Sequence, residues 1–536
     1  MAIANVWSAH PINRRLRTAV AGVVRSTALA VALGSALPAV AAEVDIDRRE
    51  GVPADASPVR GDIGGVSPRG GDRATALQTA ALPEKSPGSE LPVKEHIPPD
   101  MSPRLFAQFQ LPSAEGGQPS TEQLQKYLPY QYFIGTDPEM VFRNNDDLDS
   151  RTKDKSIFWL PSLSGILTYR PYAWLETTVE LQLEKEFRVH EEPQPVATPR
   201  HSSFLLDQFN FTFKDFTAPF EISVGRKGFE DERRSLLDGS MDAVSVLLRQ
   251  GRFTGLALVG RAARWSWDMS RHNVQSQDRI NTFYSYGDYR VSEDAKLAGY
   301  YIIRSDRSGV EGAPHTVGAR VFGTPSADVN YWADVAYQGG RDALGTQIQA
   351  SAYDVGVTRR FFDVPLRPNF TLGWAMGTGD ADPANNVNNA FQPTGLGSNE
   401  RRFAGIRQFR AFGETFDPDL SNVKIQTVGF GIRPDPQVSI DLVWHGYRLH
   451  KQHGIFQSSI TAEPGQVDGH LRRDLGTEWD LVLNFNNFLG VRRLFFDLRL
   501  GWFRPGKAYI KNDGTDEDPI LRYPDKAVSG IIILQW

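Results

Sequence analysis

The feature that most constrains this chain is a stretch of strict period-two alternation over residues 173–187. One parity is largely apolar, and the other carries the carboxylates of Glu176, Glu180, Glu184 and Glu186. Successive side chains of a β-strand point to opposite faces, so this strand has an apolar face and an acidic face. The edge of a soluble β-sandwich can have this pattern. The wall of a transmembrane barrel, with lipid outside and water inside, requires it.

Similar segments recur to the C-terminus, and the connections between them alternate in length. Long connections are predicted at 188–203, 380–422, 450–474 and 507–526, and short ones at 170–172, 324–327, 363–368, 434–437 and 487–491. Transmembrane barrels have short periplasmic turns and longer outer loops. The pattern therefore predicts an all-β fold, a transmembrane antiparallel β-barrel of about 18 strands with both termini periplasmic.

The N-terminal part of the chain has a different composition. Arginines precede a short apolar run at 26–37, and small residues at 39–42 suit signal peptidase. The run is shorter than the roughly 20 residues that a spanning helix needs. We expect residues 1–42 to be a signal peptide, residues 43–128 to be a disordered periplasmic extension, and residues 129–536 to form the barrel.

Composition excludes several classes of function. The chain has no cysteine, which excludes thiol catalysis, cysteine zinc sites and disulfides. Its 59 basic and 64 acidic residues give a net charge of -5, so nucleic-acid binding has no electrostatic support. Sequence motifs of serine hydrolases, phosphate-binding loops and zinc proteases are absent from the printed sequence. We expect no catalytic residue, no metal and no cofactor.

The C-terminus ends on an apolar segment and a terminal aromatic residue, Trp536. This ending resembles the signal that the outer-membrane assembly machinery of Gram-negative bacteria reads. Together with the signal peptide, it predicts a multi-pass barrel in the outer membrane. The expected partners are therefore that machinery and the lipid and lipopolysaccharide around the barrel.

Several segments carry a family resemblance in their order along the chain. Residues 394–399 read Thr-Gly-Leu-Gly-Ser-Asn, and residues 417–422 read Asp-Pro-Asp-Leu-Ser-Asn, both in the longest predicted loop. The step Gly225-Arg226 precedes them, and Phe-Arg-Pro-Gly-Lys-Ala-Tyr follows at 503–509. This succession resembles the alginate-export family of outer-membrane proteins, of which the chain looks like a divergent member over roughly residues 131–536. The resemblance implies a barrel that passes an anionic uronate polysaccharide outward through a basic constriction.

The resemblance also implies which residues line the path. Arg170 matches a basic position of the family. At three other such positions the basic residue stands beside or near the matching place, and at the strand that contains Asp207 and Gln208 it is missing. Residue alternation separately places several carboxylates inside the barrel, and four loop arginines would join them if loop 380–422 enters the lumen. The alternative for those arginines is a solvated or lipopolysaccharide-facing loop. The predicted path comprises Arg170, Arg226, Lys227, Arg401, Arg402, Arg407, Arg410, Arg499, Glu176, Glu180, Glu184 and Asp497.

The predicted function is export of an anionic, alginate-like polysaccharide through a charged lumen, with no catalytic step. One alternative is a general or small-solute diffusion porin on the same scaffold. A remote alternative is an outer-membrane hydrolase barrel, in which His445 would need a serine partner such as Ser439 on its own strand. Besides the saccharide, we expect the N-terminal extension to be available to periplasmic export partners.

Overall fold

The computed structural model describes residues 130–192, 202–214, 219–261, 269, 280–306, 312–382, 384–452, 456–467, 470–513 and 520–536. The expected signal peptide and N-terminal extension lie outside the described residues. The described residues form β-strands and two short 3-10 helices, Phe488–Gly490 and Lys507–Tyr509. Within the described part of the chain, no helix is both long enough and apolar enough to cross a membrane.

The strands, in chain order, are β1 Tyr130–Thr136, β2 Glu139–Asn144, β3 Ser156–Leu160, β4 Ser162–Tyr172, β5 Leu175–Lys185, β6 Phe187–Glu191, β7 Ser202–Lys214, β8 Phe220–Glu230, β9 Asp238–Gln250, β10 Phe253–Arg261, β11 Ile280–Ser292, β12 Ala295–Asp306, β13 Ala313–Ser326, β14 Val329–Arg341, β15 Gln347–Ile348, β16 Ala350–Arg360, β17 Asn369–Gly377, β18 Val387–Asn388, β19 Glu400–Arg401, β20 Phe409–Arg410, β21 Val423–Asp435, β22 Val438–Leu449, β23 Gln466–Val467, β24 His470–Leu471, β25 Asp474–Phe485, β26 Phe495–Pro505, β27 Lys511–Asn512, β28 Leu521–Arg522 and β29 Ala527–Gln535.

Antiparallel pairings join the long strands in sequence order, and the last strand returns to the first. β29 pairs with β26 on one side and with β2 on the other. Eight short strands do not contribute to the barrel wall: β15, β18, β19, β20, β23, β24, β27 and β28. Three wall strands are each interrupted and consist of two consecutive pieces: β1 with β2, β3 with β4, and β5 with β6. This leaves 18 strand positions in the wall. The predicted antiparallel barrel and its strand count are confirmed.

Connections alternate between the two ends of the barrel, as the sequence predicted. β21 ends at Asp435 and β22 begins at Val438, whereas β17 and β21 are separated by residues 378–422. We call the two ends the short-turn end and the loop end; the described chain begins and finishes at the short-turn end. The turn predicted at 170–172 lies at 173–174 instead, because β4 continues through Arg170 to Tyr172.

Alternation along each strand separates an apolar outside from a polar inside. In β7, Phe209, Phe211 and Phe213 are exposed, while Asn210 and Thr212 between them are buried. In β5, Glu180 is likewise buried within the barrel, although the long alternating segment is interrupted at Glu186, where β5 gives way to β6. An apolar exterior around a polar interior is the arrangement that a barrel needs in lipid.

The terminal residue fastens the last strand to the first. The Thr136 N–H donates to the Trp536 carbonyl, and the Trp536 N–H donates to the Thr136 carbonyl, both at 2.9 Å.

Deleting Trp536 is expected to lower the yield of folded barrel severalfold, because both hydrogen bonds and the terminal aromatic ring are lost. The measurement is the heat-modifiable, folded fraction in isolated outer membranes. Trp536→Phe is the matched control because it keeps the backbone and an aromatic ring. An unchanged yield for the deletion would contradict the prediction.

Candidate functional site

The connection between β17 and β21, residues 378–422, runs inside the barrel over its full height; we call it the lumen loop. It leaves and rejoins the wall at the loop end. At the other end, Arg407 Nη2 donates to Gln535 Oε1 at 2.7 Å, and its guanidinium lies 5.1 Å from the ring centre of Phe495. Gln535 and Phe495 are both at the short-turn end. The loop arginines therefore lie within the barrel and do not form an outer, solvated surface.

A second segment enters the lumen, and the sequence did not predict it. β8 pairs with β7 only as far as Arg226, and β9 pairs with β10 only from Asp242. Beyond these points β8 and β9 stay paired with each other to the tip, so residues 227–241 leave the wall as an inserted hairpin. Gly225 allows the bend: its φ is +119°, and a Cβ there would lie 2.3 Å from the Phe209 carbonyl oxygen.

The inserted hairpin and the lumen loop bond to each other. The Asn399 N–H donates to the Arg234 carbonyl at 3.0 Å, and the Asp238 N–H donates to the Leu396 carbonyl at 2.7 Å. Gly397 permits the close approach, because a Cβ there would lie 2.5 Å from the Ser235 carbonyl oxygen. The Thr-Gly-Leu-Gly-Ser-Asn segment at 394–399 is thus the piece of the lumen loop that meets the hairpin.

The predicted path residues of the lumen loop are mostly ion-paired. Arg401 pairs with Asp354 of β16, and Arg407 pairs with Asp497 of β26 at 2.7 Å. Arg410 lies 3.3 Å from Asp417 within the same loop.

The predicted path residues of the wall are also satisfied by neighbours. Arg226 forms a two-pronged pair with Asp242 at 2.7 and 2.8 Å, and Arg499 lies 2.9 Å from Glu400 of the lumen loop. Lys227 donates to the Ser223 hydroxyl at 2.9 Å. These basic side chains of the wall are therefore not free charges. The lumen contains a network of ion pairs that join carboxylates and guanidiniums of the wall to those of the lumen loop.

The carboxylates predicted inside β5 lie on one wall and have different surroundings. Glu176 accepts from Arg170 at 2.7 Å and from Lys214 at 3.0 Å. Glu180 is buried and accepts from the Gln208 amide at 2.6 Å. Glu184 is half-buried nearer the loop end. Arg170 is partly exposed near the short-turn end of β4, where its partner is Glu176 of the neighbouring strand.

Arg320 is the most deeply buried cation of the network, and it was not among the predicted path residues. Its guanidinium contacts Asp231 of the inserted hairpin at 2.5 Å and Asp334 of β14 at 2.6 Å, with the Arg320 side chain fully buried. The paired leucines Leu236 and Leu237 of the hairpin are buried beside it. Two adjacent leucines in a connection that would otherwise face solvent were the available sequence signal for insertion.

A carboxylate clamp holds the returning part of the lumen loop, residues 414–416, against the wall. The N–H groups of Thr415 and Phe416 donate to the two carboxylate oxygens of Glu478 at 2.6 and 3.0 Å. The N–H of Glu414 donates to Asp480 at 3.4 Å. Because the donors are backbone N–H groups, these hydrogen bonds fix the path of the loop and do not depend on the identity of its side chains.

The pair that a hydrolase would need is not assembled. His445 Nδ1 lies 3.0 Å from the Thr427 hydroxyl, and its Nε2 lies 3.3 Å from Asp480. Ser439 donates its hydroxyl to Asn484 at 2.8 Å. The two side chains named in the hydrolase alternative therefore bond to other groups.

Arg402 differs from the other arginines of the lumen loop. It is exposed near the short-turn end, and the neighbouring Phe403 stacks on Trp332 with ring centres 6.0 Å apart. The Ala404 carbonyl accepts from Arg433 Nε at 2.8 Å, so the loop segment that carries Arg402 contacts Arg433.

Comparison with known proteins gives one family match and one curated relative. The family model described as alginate export matches residues 125–520. The alginate production protein AlgE of Azotobacter vinelandii is 28% identical over 178 residues, which cover 29% of this chain and 36% of that protein. The chain thus matches only about a third of the length of this curated relative.

The solved structures to which the chain is similar include proteins of two organisms. OccK11 (OpdR) of Pseudomonas aeruginosa is 13% identical with a TM-score of 0.45, over 76% of this chain and 95% of that one. OccAB2 of Acinetobacter baumannii is 12% identical with a TM-score of 0.48, over 76% and 98% of the two chains. Similarity at this level carries no information about the solute.

Proposed function

Because the chain belongs to the alginate export family, we propose that this outer-membrane β-barrel exports an anionic, alginate-like polysaccharide through its lumen. The observation that carries the proposal is the lumen loop, which places four arginines inside the barrel, from its interior to the short-turn mouth. The short-turn end would face the periplasm and the loop end the exterior, as in other transmembrane barrels. We assign the predicted path residues, now seen on the wall and on the lumen loop, to the route of the polymer.

The pairing of these arginines suits a route that a polymer must leave as well as occupy. Conduction needs binding that is favourable but weak enough for release. A uronate carboxylate that approaches a paired guanidinium competes with a protein carboxylate already there, so the net gain is small. Transport would then proceed by exchange of carboxylates along the route, without a covalent step or a cofactor.

We further propose that residues 1–42 are removed as a signal peptide and that residues 43–128 form a periplasmic extension available to export partners. The barrel would contact lipopolysaccharide and would be inserted by the outer-membrane assembly machinery, which reads the terminal aromatic residue. These assignments rest on composition and on the C-terminal segment.

The proposed function is tested by block of single channels in planar bilayers. Oligomers of a uronate and neutral oligosaccharides of the same length are added to the purified full chain. We expect uronates to interrupt the current at least tenfold more often, an enhancement within the range that charged clefts produce, and the difference to shrink at high salt. Equal block by both kinds of oligomer would refute polyanion export and favour the small-solute porin, which a near-neutral paired network would also suit.

The orientation is tested with two single-cysteine variants of this cysteine-free chain. Leu344→Cys lies on a loop-end connection and Leu489→Cys on a short turn; the leucines are 91% and 81% exposed. A membrane-impermeant maleimide on intact cells should label Leu344→Cys strongly and Leu489→Cys only after the outer membrane is opened. Labelling of Leu489→Cys on intact cells would reverse the proposed orientation.

A further inference from the structure

Three arginines meet at the short-turn end of the lumen, where the wall and the lumen loop come together. Arg360 is the last residue of β16, and Arg433 lies near the end of β21. Arg402 is carried to the same place by the lumen loop. Arg360 pairs with Asn369 of β17, and Asn369 pairs with Gly431 of β21, two residues before Arg433. The Ala404 carbonyl, two residues after Arg402, accepts from Arg433 Nε.

Only one member of this group is compensated by a carboxylate. Arg433 donates from Nη2 to both oxygens of Asp441 at 3.2 Å, and from Nε to the Ala404 carbonyl at 2.8 Å. Over the residues that the structure describes, Arg360 and Arg402 form no ion pair with a carboxylate. In addition, the Arg360 Nε is buried without a hydrogen-bond acceptor in that same part of the chain. The group thus has two guanidiniums in excess over its one acid.

The rest of the lumen makes this excess distinctive. Arg226, Arg320, Arg401, Arg407 and Arg499 each face a carboxylate of the wall, the hairpin or the loop. A buried N–H without an acceptor is destabilising, and a carboxylate ligand would supply the acceptor that Arg360 Nε lacks. A planar guanidinium binds a carboxylate through two parallel N–H···O bonds.

The backbone that carries Arg402 is held before any ligand arrives. Phe403 stacks on Trp332 at an interplanar angle of 4° and meets Phe409 edge-on, with ring centres 5.1 Å apart. On its other side, the Ala404 carbonyl accepts from Arg433. A charged group fixed in this way binds with less loss of conformational freedom than one on a mobile loop.

We propose that Arg360 and Arg402 form a carboxylate-binding site at the short-turn mouth, which captures a uronate unit of the polymer before it meets the paired arginines deeper in the lumen. This inference rests on the proposed function and names where its substrate first binds. The uncompensated pair holds the first carboxylate, and the compensated arginines beyond it hold later ones more loosely. Charge is therefore graded along the route from capture to release.

The test uses the double variant Arg360→Gln/Arg402→Gln in single channels. Channel orientation is read from the side on which streptavidin reaches biotinylated Leu344→Cys. We expect the association rate of a uronate oligomer added to the short-turn side to fall roughly tenfold at low salt, in the range of electrostatic steering. The effect should vanish near 1 M salt, where the screening length is about 3 Å. Block by a neutral oligomer should not change.

Arg359→Gln is the matched control, because Arg359 adjoins Arg360 on the opposite face of β16 and pairs with Asp328 at 3.4 Å, 60% exposed. It removes one positive charge within a residue of the site without touching the lumen. A heat-modifiable mobility shift verifies that each variant is folded. A tenfold loss in Arg359→Gln as well would overturn the site.

The two possible failures give different results. If the wild-type channel prefers uronates to neutral oligomers and the double variant keeps that preference and its association rate, the mouth site is wrong and the proposed function stands. If the wild-type channel shows no preference, the proposed function fails and the mouth site fails with it. A loss confined to oligomers added on the loop side would also refute capture at the short-turn mouth.

Discussion

Removing the lumen loop is expected to raise single-channel conductance roughly threefold or more, because a barrel of this strand number encloses an aqueous channel when its interior is empty. The deletion replaces residues 381–419 with a short Gly-Ser linker. The linker can be short because Gly377 and Val423, which bound the loop, are paired neighbours on adjacent strands. Conductance in symmetrical 1 M salt is the measurement, since high salt suppresses effects of the removed charges.

The control shortens a different connection. Removing Leu344 and its neighbours from the exposed turn between β14 and β15 should leave conductance within the scatter of the wild type. Circular dichroism and the heat-modifiable shift identify variants that keep the barrel. A folded deletion with wild-type conductance would show that the lumen loop does not obstruct the path of ions.

The largest loss of stability is expected from Arg320→Met. This change leaves Asp231 and Asp334 without the cation between them, at a site where the arginine and Asp231 are fully buried. Breaking a buried ion pair by removing one partner costs about 3–5 kcal/mol, because a charge is left uncompensated. The measurement is urea-induced unfolding of the purified barrel in lipid vesicles. The inserted hairpin should also become accessible to protease, since Asp231 is one of its anchors.

Arg359→Met is the comparison for the same substitution on the surface. Its pair with Asp328 is solvent-exposed, and exposed pairs contribute at most about 1 kcal/mol. Similar unfolding midpoints for the two variants would contradict the structural role assigned to Arg320. A second comparison, Arg320→Met with Asp334→Asn, removes one of the stranded charges and should recover part of the loss.

The barrel was predictable because its signals are local. Side-chain alternation fixes which residues face lipid, as Phe209, Phe211 and Phe213 show, and each strand carries that signal by itself. The alternation of connection lengths adds the topology, and the final aromatic residue adds the closing strand. None of these inferences needs knowledge of which residues meet across the lumen.

The site was only partly predictable because its contacts are distant in sequence. Arg499 is ion-paired because Glu400 lies beside it, and Glu400 is in that position only because the lumen loop runs through the barrel. Arg401 likewise depends on the register that places Asp354 opposite it. The resemblance implied a basic constriction, whereas most of the predicted arginines lie against carboxylates, as Arg407 does against Asp497. Arg360 could not be chosen from alternation alone, because many wall arginines share its inward parity.

The carboxylate clamp at Glu478 and Asp480 has a consequence for how such channels diversify. It holds the returning part of the lumen loop through the main-chain N–H groups of residues 414–416, and every residue except proline has such a group. Neighbouring loop side chains can therefore be exchanged while the loop keeps its course, and the wall needs no matching change. Solute preference can therefore change without a change in architecture, and the lumen loop is the segment in which substitutions can alter selectivity while the barrel stays the same.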